Sequence, residues 1–203
     1  MTDSLKKGIA TKYLLPIVVA YASAAGLLGY SQMTELQLAI QNLGVASITG
    51  VALLVFQDLI PRAAKEVLVF WRLRDRLPGC RAFSVIAKRD SRVDPTDLAV
   101  LLPATSMTPA EENALWYRWL KTVEADPAIA DNHHRVLALR DCAVLLLLLA
   151  FASPLLLLPG ASLRTLLVII AGCVLAYLIT MIAARNAAVR LVGNVIARKV
   201  ATS

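Results

Sequence analysis

"CAVLLLLLAFASPLLLL", Cys142 to Leu158, carries no charged side chain and a single hydroxyl, Ser153. At about 1.5 Å of rise per helical residue, such a run suits a hydrocarbon core roughly 30 Å thick, which takes about 20 apolar residues to cross. Three further stretches have the same character. Leu163 to Ala184 follows almost at once and contains "LLVIIAGCVLAYLITMIAA". Towards the N-terminus, Tyr13 to Tyr30, "YLLPIVVAYASAAGLLGY", is uncharged and bracketed by aromatic rings that suit the headgroup interface. Between them lies Gln37 to Ile60, with its apolar heart at Leu43 to Phe56. Of the 203 residues 58% are hydrophobic and only 17% charged, and the mean hydropathy of +0.66 lies outside the range of a soluble domain. The fold expected is all-α, a polytopic membrane protein with four transmembrane helices arranged as two hairpins. The first stretch is too long for the apolar part of a cleavable signal peptide and is followed directly by another span.

Basic residues orient these spans. Lys6, Lys7 and Lys12 precede the first, thirteen Lys and Arg lie between positions 62 and 141, and Arg185, Arg190, Arg198 and Lys199 follow the fourth. The short turns Ser31 to Leu36 and Pro159 to Ser162 hold none, with Arg164 the lone basic residue near the second. The positive-inside rule therefore places both termini and the central segment in the cytoplasm. The organisation expected is a tail and first hairpin over 1–61 and a cytoplasmic helical domain over 62–141. The second hairpin covers 142–184, and a basic amphipathic tail over 185–203 continues the fourth helix and lies on the inner leaflet or packs on the insert.

Helix punctuation organises the insert. The second span is expected to continue through "IPRAAKEVLVFWRLRDRL", with an apolar stripe of Val67, Leu68, Phe70, Trp71 and Leu73, until Pro78 and Gly79 stop it. A short helix is expected over Arg81 to Lys88, and another from Asp94 and Pro95 to about Leu102. In "TPAEENALWYRWLKTVEAD" Thr108 reads as the N-cap, Pro109 as the first helical residue and Glu111 as the partner in a capping box. Asp126 and Pro127 open a helix that runs through "NHHRVLALRD" into the third span.

The net charge of +7 raises nucleic acid as a partner, but the insert sets eleven acids against its thirteen bases. Direct nucleic-acid binding is therefore not expected, whereas a local arginine cluster still suits a compact anion such as a nucleotide. Arg62, Arg72, Arg74 and Arg76 also suit the place where a helix leaves the bilayer, with stems on apolar surface and guanidiniums among phosphates. Asp131, His133 and His134 lack a second His/Cys cluster, and adjacent helical histidines point about 100° apart, so no metal site is expected. Trp116, Tyr117 and Trp119 read as packing or interface residues rather than a base-stacking platform. The three cysteines, Cys80, Cys142 and Cys173, show no CxxC spacing and imply no disulfide framework. No Walker loop, dinucleotide fingerprint or GxSxG occurs, and the spans lack a nucleophile–base pair, so neither an enzyme nor a cofactor is expected. Small residues Ala22, Ala25, Gly26, Gly29, Gly44 and Gly50 allow close helix approach and self-assembly.

The order "FWRLRDRLPGCRAF", "RDSRVD", "LWYRWL", "HHRVLALRDCAVL" resembles small bacterial membrane proteins of antiphage defence systems, with two hairpins around a cytoplasmic insert. The resemblance covers Asp58 to Leu145 and carries no catalytic motif. It implies a multi-pass protein of the bacterial inner membrane, either a membrane effector opened by an intracellular signal or the membrane-embedded subunit of a Kiwa-like pair. Two functions compete: an oligomeric effector whose insert senses a nucleotide or protein and perturbs or permeabilises the membrane, and a membrane-anchored scaffold that recruits a cytoplasmic protein. The candidate ligand- or partner-binding residues are the basic groups of the insert near aromatic rings: Arg72, Arg74, Arg76, Arg81, Lys88, Arg89, Arg92 and Arg118.

Overall fold

Four prolines, Pro78, Pro95, Pro109 and Pro127, each stand at the first position of a helical segment, where a missing N–H costs no hydrogen bond. A computed structural model describes residues 15–28, 59–157 and 162–202. Helices α1 (Leu15–Leu28) and α2 (Arg62–Phe70) come first. A composite run follows, one 3₁₀ turn (Pro78–Arg81), one π turn (Ala82–Ile86) and the short α3 (Ala87–Arg89). Then come α4 (Pro95–Leu101), α5 (Pro109–Val123), α6 (Pro127–Leu157) and α7 (Leu163–Val200). No strand occurs among the described residues, and two helices, α6 and α7, are long and apolar enough to cross a membrane. Most of the second stretch, Gln37 to Ile60, and the turn Ser31 to Leu36 lie outside the described residues.

The chain divides into two compact units, one of residues up to Lys65 with Ala138–Met181, the other of Glu66–Leu137 with Ile182–Ser203. In the first, Val18 of α1 meets Cys142, Leu145, Leu149 and Ala150 of α6 and Ile169 and Cys173 of α7. The Ser153 hydroxyl, fully buried, donates to the Leu149 carbonyl at 2.6 Å. A hydroxyl has one proton, so the Tyr21 hydroxyl, 2.9 Å away, is the donor to Ser153 Oγ. Both polar groups are thereby satisfied among apolar neighbours. Lys65, 8% exposed, pairs with Asp141 at 3.5 Å, and Arg140 reaches the same carboxylate at 2.9 Å.

In the second unit, Phe83, Trp116, Trp119, Leu120 and Ile129 pack with Leu191, Val192, Val195 and Ile196 of α7. Residues 185–200, expected as a basic amphipathic continuation of the fourth apolar stretch, belong to α7, and Leu191, Val192, Val195 and Ile196 close this core. Trp116 and Trp119 are buried and Tyr117 is exposed, and Phe83 meets Trp119 edge-on at 4.9 Å between ring centroids. The α5 N-terminus has the expected capping box: Thr108 Oγ1 accepts from the Glu111 N–H at 3.3 Å, and Glu111 Oε2 accepts from the Thr108 N–H at 2.7 Å. Asp94 caps α4, accepting the Thr96 N–H at 2.7 Å.

Two expectations are corrected here. Ile60 and Pro61 are not helical, so α2 starts afresh at Arg62, and it ends at Phe70 rather than near Leu77. Its end is a left-handed cap. Trp71 takes φ 52°, and its N–H bonds back to the Val67 carbonyl at 2.8 Å. Glycine usually fills this position because a side chain is disfavoured there. Here Arg185 Nε donates to the Val69 carbonyl at 2.7 Å, and its guanidinium lies 5.0 Å from the Trp71 ring centroid. A terminal carbonyl and an aromatic face are thus both satisfied by one cation. The helix expected over Arg81 to Lys88 is instead the composite run, because Arg81 leaves the helical region (φ −138°, ψ 26°).

Gly79 lies where this run crosses α5. A Cβ there would come 2.3 Å from Asn113 Oδ1 and 2.9 Å from the Trp116 ring. The amide can turn away but the buried indole cannot, so Gly79→Ala is expected to lose about 1–3 kcal/mol by overpacking. Chemical denaturation of the full chain in detergent measures it; an unchanged midpoint would show that the run does not press on α5.

Candidate functional site

The composite run and the turn after it bring three arginines to one place. Arg81, Arg89 and Arg92 line a cleft of about 440 Å³ in the second unit, opposite Val189, Arg190 and Gly193 of α7. Val85 and Ile86 give it apolar wall, and Asp90 and Ser91 complete the rim. Four guanidiniums face one carboxylate, a net excess of three positive charges.

The four arginines are not equivalent. Arg92 engages all three of its guanidinium nitrogens: Nε and Nη2 donate to Asp90 at 2.9 and 2.7 Å, and Nη1 donates to Asn194 Oδ1 at 3.0 Å. The Arg92 N–H also bonds Asp90 Oδ1 at 3.1 Å, closing a tight turn. This bidentate clip seats against the backbone of α7 at Gly193, where a Cβ would stand 2.8 Å from Asp90 Oδ2. Side-chain hydrogen bonds from Arg92 hold the Asp90 carboxyl below the ordinary carboxylate range, against the opposing effect of partial burial. A carboxyl lowered on folding stabilises the fold above its unfolded pKa and loses that contribution as pH falls through its folded pKa. The clip therefore persists through neutral and mildly acidic conditions.

Arg81, Arg89 and Arg190, by contrast, have no ion-pair or side-chain hydrogen-bond partner among the described residues. Partial burial, and then the like charge of Arg72, lower the proton affinity of the Arg81 guanidinium, opposed in part by Cys80 and Asp75.

The other candidate residues fall elsewhere. Arg72 and Arg74 are exposed on the segment after α2, beside the exposed Trp71 and Leu73. Arg76 lies 3.8 Å from Glu66, while Lys88 and Arg118 are exposed and do not line the cleft. The residue missed from the sequence is Arg190, assigned there to a tail. Its signal was the glycine in "RLVGNV": a glycine within a helical pattern marks a close backbone approach, and Gly193 lies three residues beyond Arg190 on the same face.

Among the described residues no group of three or more His, Cys, Asp or Glu side chains could hold a metal ion. His133 and His134 sit side by side on α6, and all three cysteines are free thiols. No protein-family model, curated protein or solved structure matches this chain.

Proposed function

We propose that this chain is a multi-pass bacterial inner-membrane protein with four spans in two hairpins around a cytoplasmic insert. It acts in antiphage defence as an oligomeric effector: the insert senses an intracellular signal, and the hairpins respond by perturbing or permeabilising the membrane. The order of arginine and aromatic motifs between Asp58 and Leu145 supports the defence assignment. The observation that carries the mechanism is that α6 and α7 each serve two purposes. Each is long and apolar enough to cross a bilayer, and each also supplies side chains to the core behind the basic cleft, Ile129 from α6 and Leu191 to Ile196 from α7. A ligand that binds one arrangement of that core more tightly by a few kcal/mol would shift the population of both helices, since a ligand moves an equilibrium only by its differential affinity.

Expression under phage challenge, followed with a potential-sensitive dye, is expected to show depolarisation that requires the full chain. Unchanged potential at full expression, together with a stoichiometric cytoplasmic partner lost on deletion of residues 81–130, would overturn the effector in favour of a recruiting scaffold. Protease added to intact spheroplasts is expected to spare 62–141, and cleavage there would overturn the topology.

A further inference from the structure

We infer that the cleft binds a multiply charged phosphate ester through Arg81, Arg89 and Arg190, with Arg92 bracing the site rather than touching the ligand. This rests on the reading that the insert senses a signal, and it names the chemistry of that signal.

Three observations converge on it. First, Arg81, Arg89 and Arg190 line one cleft with their guanidiniums unpaired, whereas Arg92 has committed its nitrogens to Asp90 and Asn194. Guanidinium forks match phosphate oxygens in geometry and charge, and several converging on one cleft favour an anion bearing more than one negative charge. Second, the wall between the cations is apolar, made by Val85, Ile86 and Val189. Inorganic phosphate would leave that wall idle; an ester with an apolar or aromatic body, as in a nucleotide, would cover it. Third, about 440 Å³ falls within the roughly 300–1,000 Å³ typical of small-molecule sites, and it is too small for a docked helix or a nucleic-acid duplex. The clip fits the role of a brace. It ties the Asp90–Arg92 turn to Asn194 on α7, and so fixes Arg89 on one wall relative to Arg190 on the other.

The same phosphate chemistry is offered by a free nucleotide and by an anionic lipid headgroup, and the test separates them. The full chain in phosphatidylcholine nanodiscs is titrated at low ionic strength with inorganic pyrophosphate and with ADP, and the titration is repeated in phosphatidylglycerol nanodiscs. Saturable binding of both probes is expected, with ADP the tighter. Arg89→Ala and Arg190→Ala should each weaken it roughly tenfold and flatten its salt dependence, while Lys88→Ala and Arg118→Ala change it little. Asp90→Ala combined with Arg92→Ala leaves the net charge of the cleft unchanged. It should weaken ADP while keeping the salt dependence of the parent, which loss of a direct contact would not do.

Equal ADP affinity in both lipids assigns the site to a soluble ester, and competition by phosphatidylglycerol assigns it to a headgroup; either supports the phosphate site. No saturable binding of either probe in phosphatidylcholine, or binding unaltered by Arg89→Ala and Arg190→Ala in variants that elute as the parent does, would overturn it. Binding without depolarisation sinks the effector reading alone, and depolarisation without binding sinks this site alone.

Discussion

Truncation of Trp119 to alanine is expected to cost about 3–5 kcal/mol, the largest loss of any single change in the second unit. The indole is 7% exposed, meets Phe83 edge-on, and stands in the core that joins α5 to α7. Its removal takes away a large transfer term and leaves a void that the close-packed neighbours cannot fill. Tyr117, two residues earlier on the same helix, provides the control. It is exposed and has Lys121 Nζ 5.6 Å from its ring centroid, so Tyr117→Ala should cost less than about 1 kcal/mol. Denaturant titration of the full chain in detergent, followed by resistance of the insert to protease, reads both. Equal losses at the two positions would mean that α5 does not bury the face assigned to it.

Glu112 should be nearly as sensitive, for a different reason. Its carboxylate is 5% exposed, and Oε2 accepts the N–H groups of Phe83 and Ser84 at 2.9 and 3.1 Å. Arg81 interrupts the helix there, so these two donors belong to the first turn of a new segment and lack a partner within it. A carboxylate from α5 serves as their cap and also opposes the partial positive charge of that helix start. Glu112→Ala strands two donors, the buried N–H of Phe83 and the half-buried N–H of Ser84, and is expected to lose about 3 kcal/mol. Glu112→Gln keeps an acceptor oxygen and should lose about 1 kcal/mol, since a neutral acceptor makes the weaker bond. The same denaturation measurement decides: a glutamine variant as damaged as the alanine variant would show that charge, and not capping, fixes the run.

The neighbouring acids Glu111 and Glu112 show what was legible in the sequence. Glu111 caps its own helix, and a spacing of three from Thr108 is enough to read it. Glu112 caps a helix 29 positions away, and nothing local marks it. The same divide runs through the molecule. The starts of α4, α5 and α6 were readable because proline and a preceding Asp or Thr act within one turn. The end of α2 was not, because the cation that holds the Val69 carbonyl comes from 116 positions further on. The apolar stripe through Trp71 and Leu73 is a sound helical pattern; a distant arginine and a left-handed residue override it. In the cleft, Arg81, Arg89 and Arg92 were named from local clustering. Clustering could not tell that Arg92 is spent on Asp90, nor that α7 would deliver Arg190 opposite them.

Closure of the second unit's core by α7 carries a consequence for the order of folding. Leu191, Val192, Val195 and Ile196 lie more than 70 positions beyond Phe83 and Leu120, yet Phe83, Trp119 and Leu120 have no complete interior without them. The entropy of closing that long loop is lost before the core repays it, so assembly waits on a distant partner. Until α7 docks, the apolar face of the earlier residues stays open to other chains, and this unit is the one most exposed to aggregation while it folds.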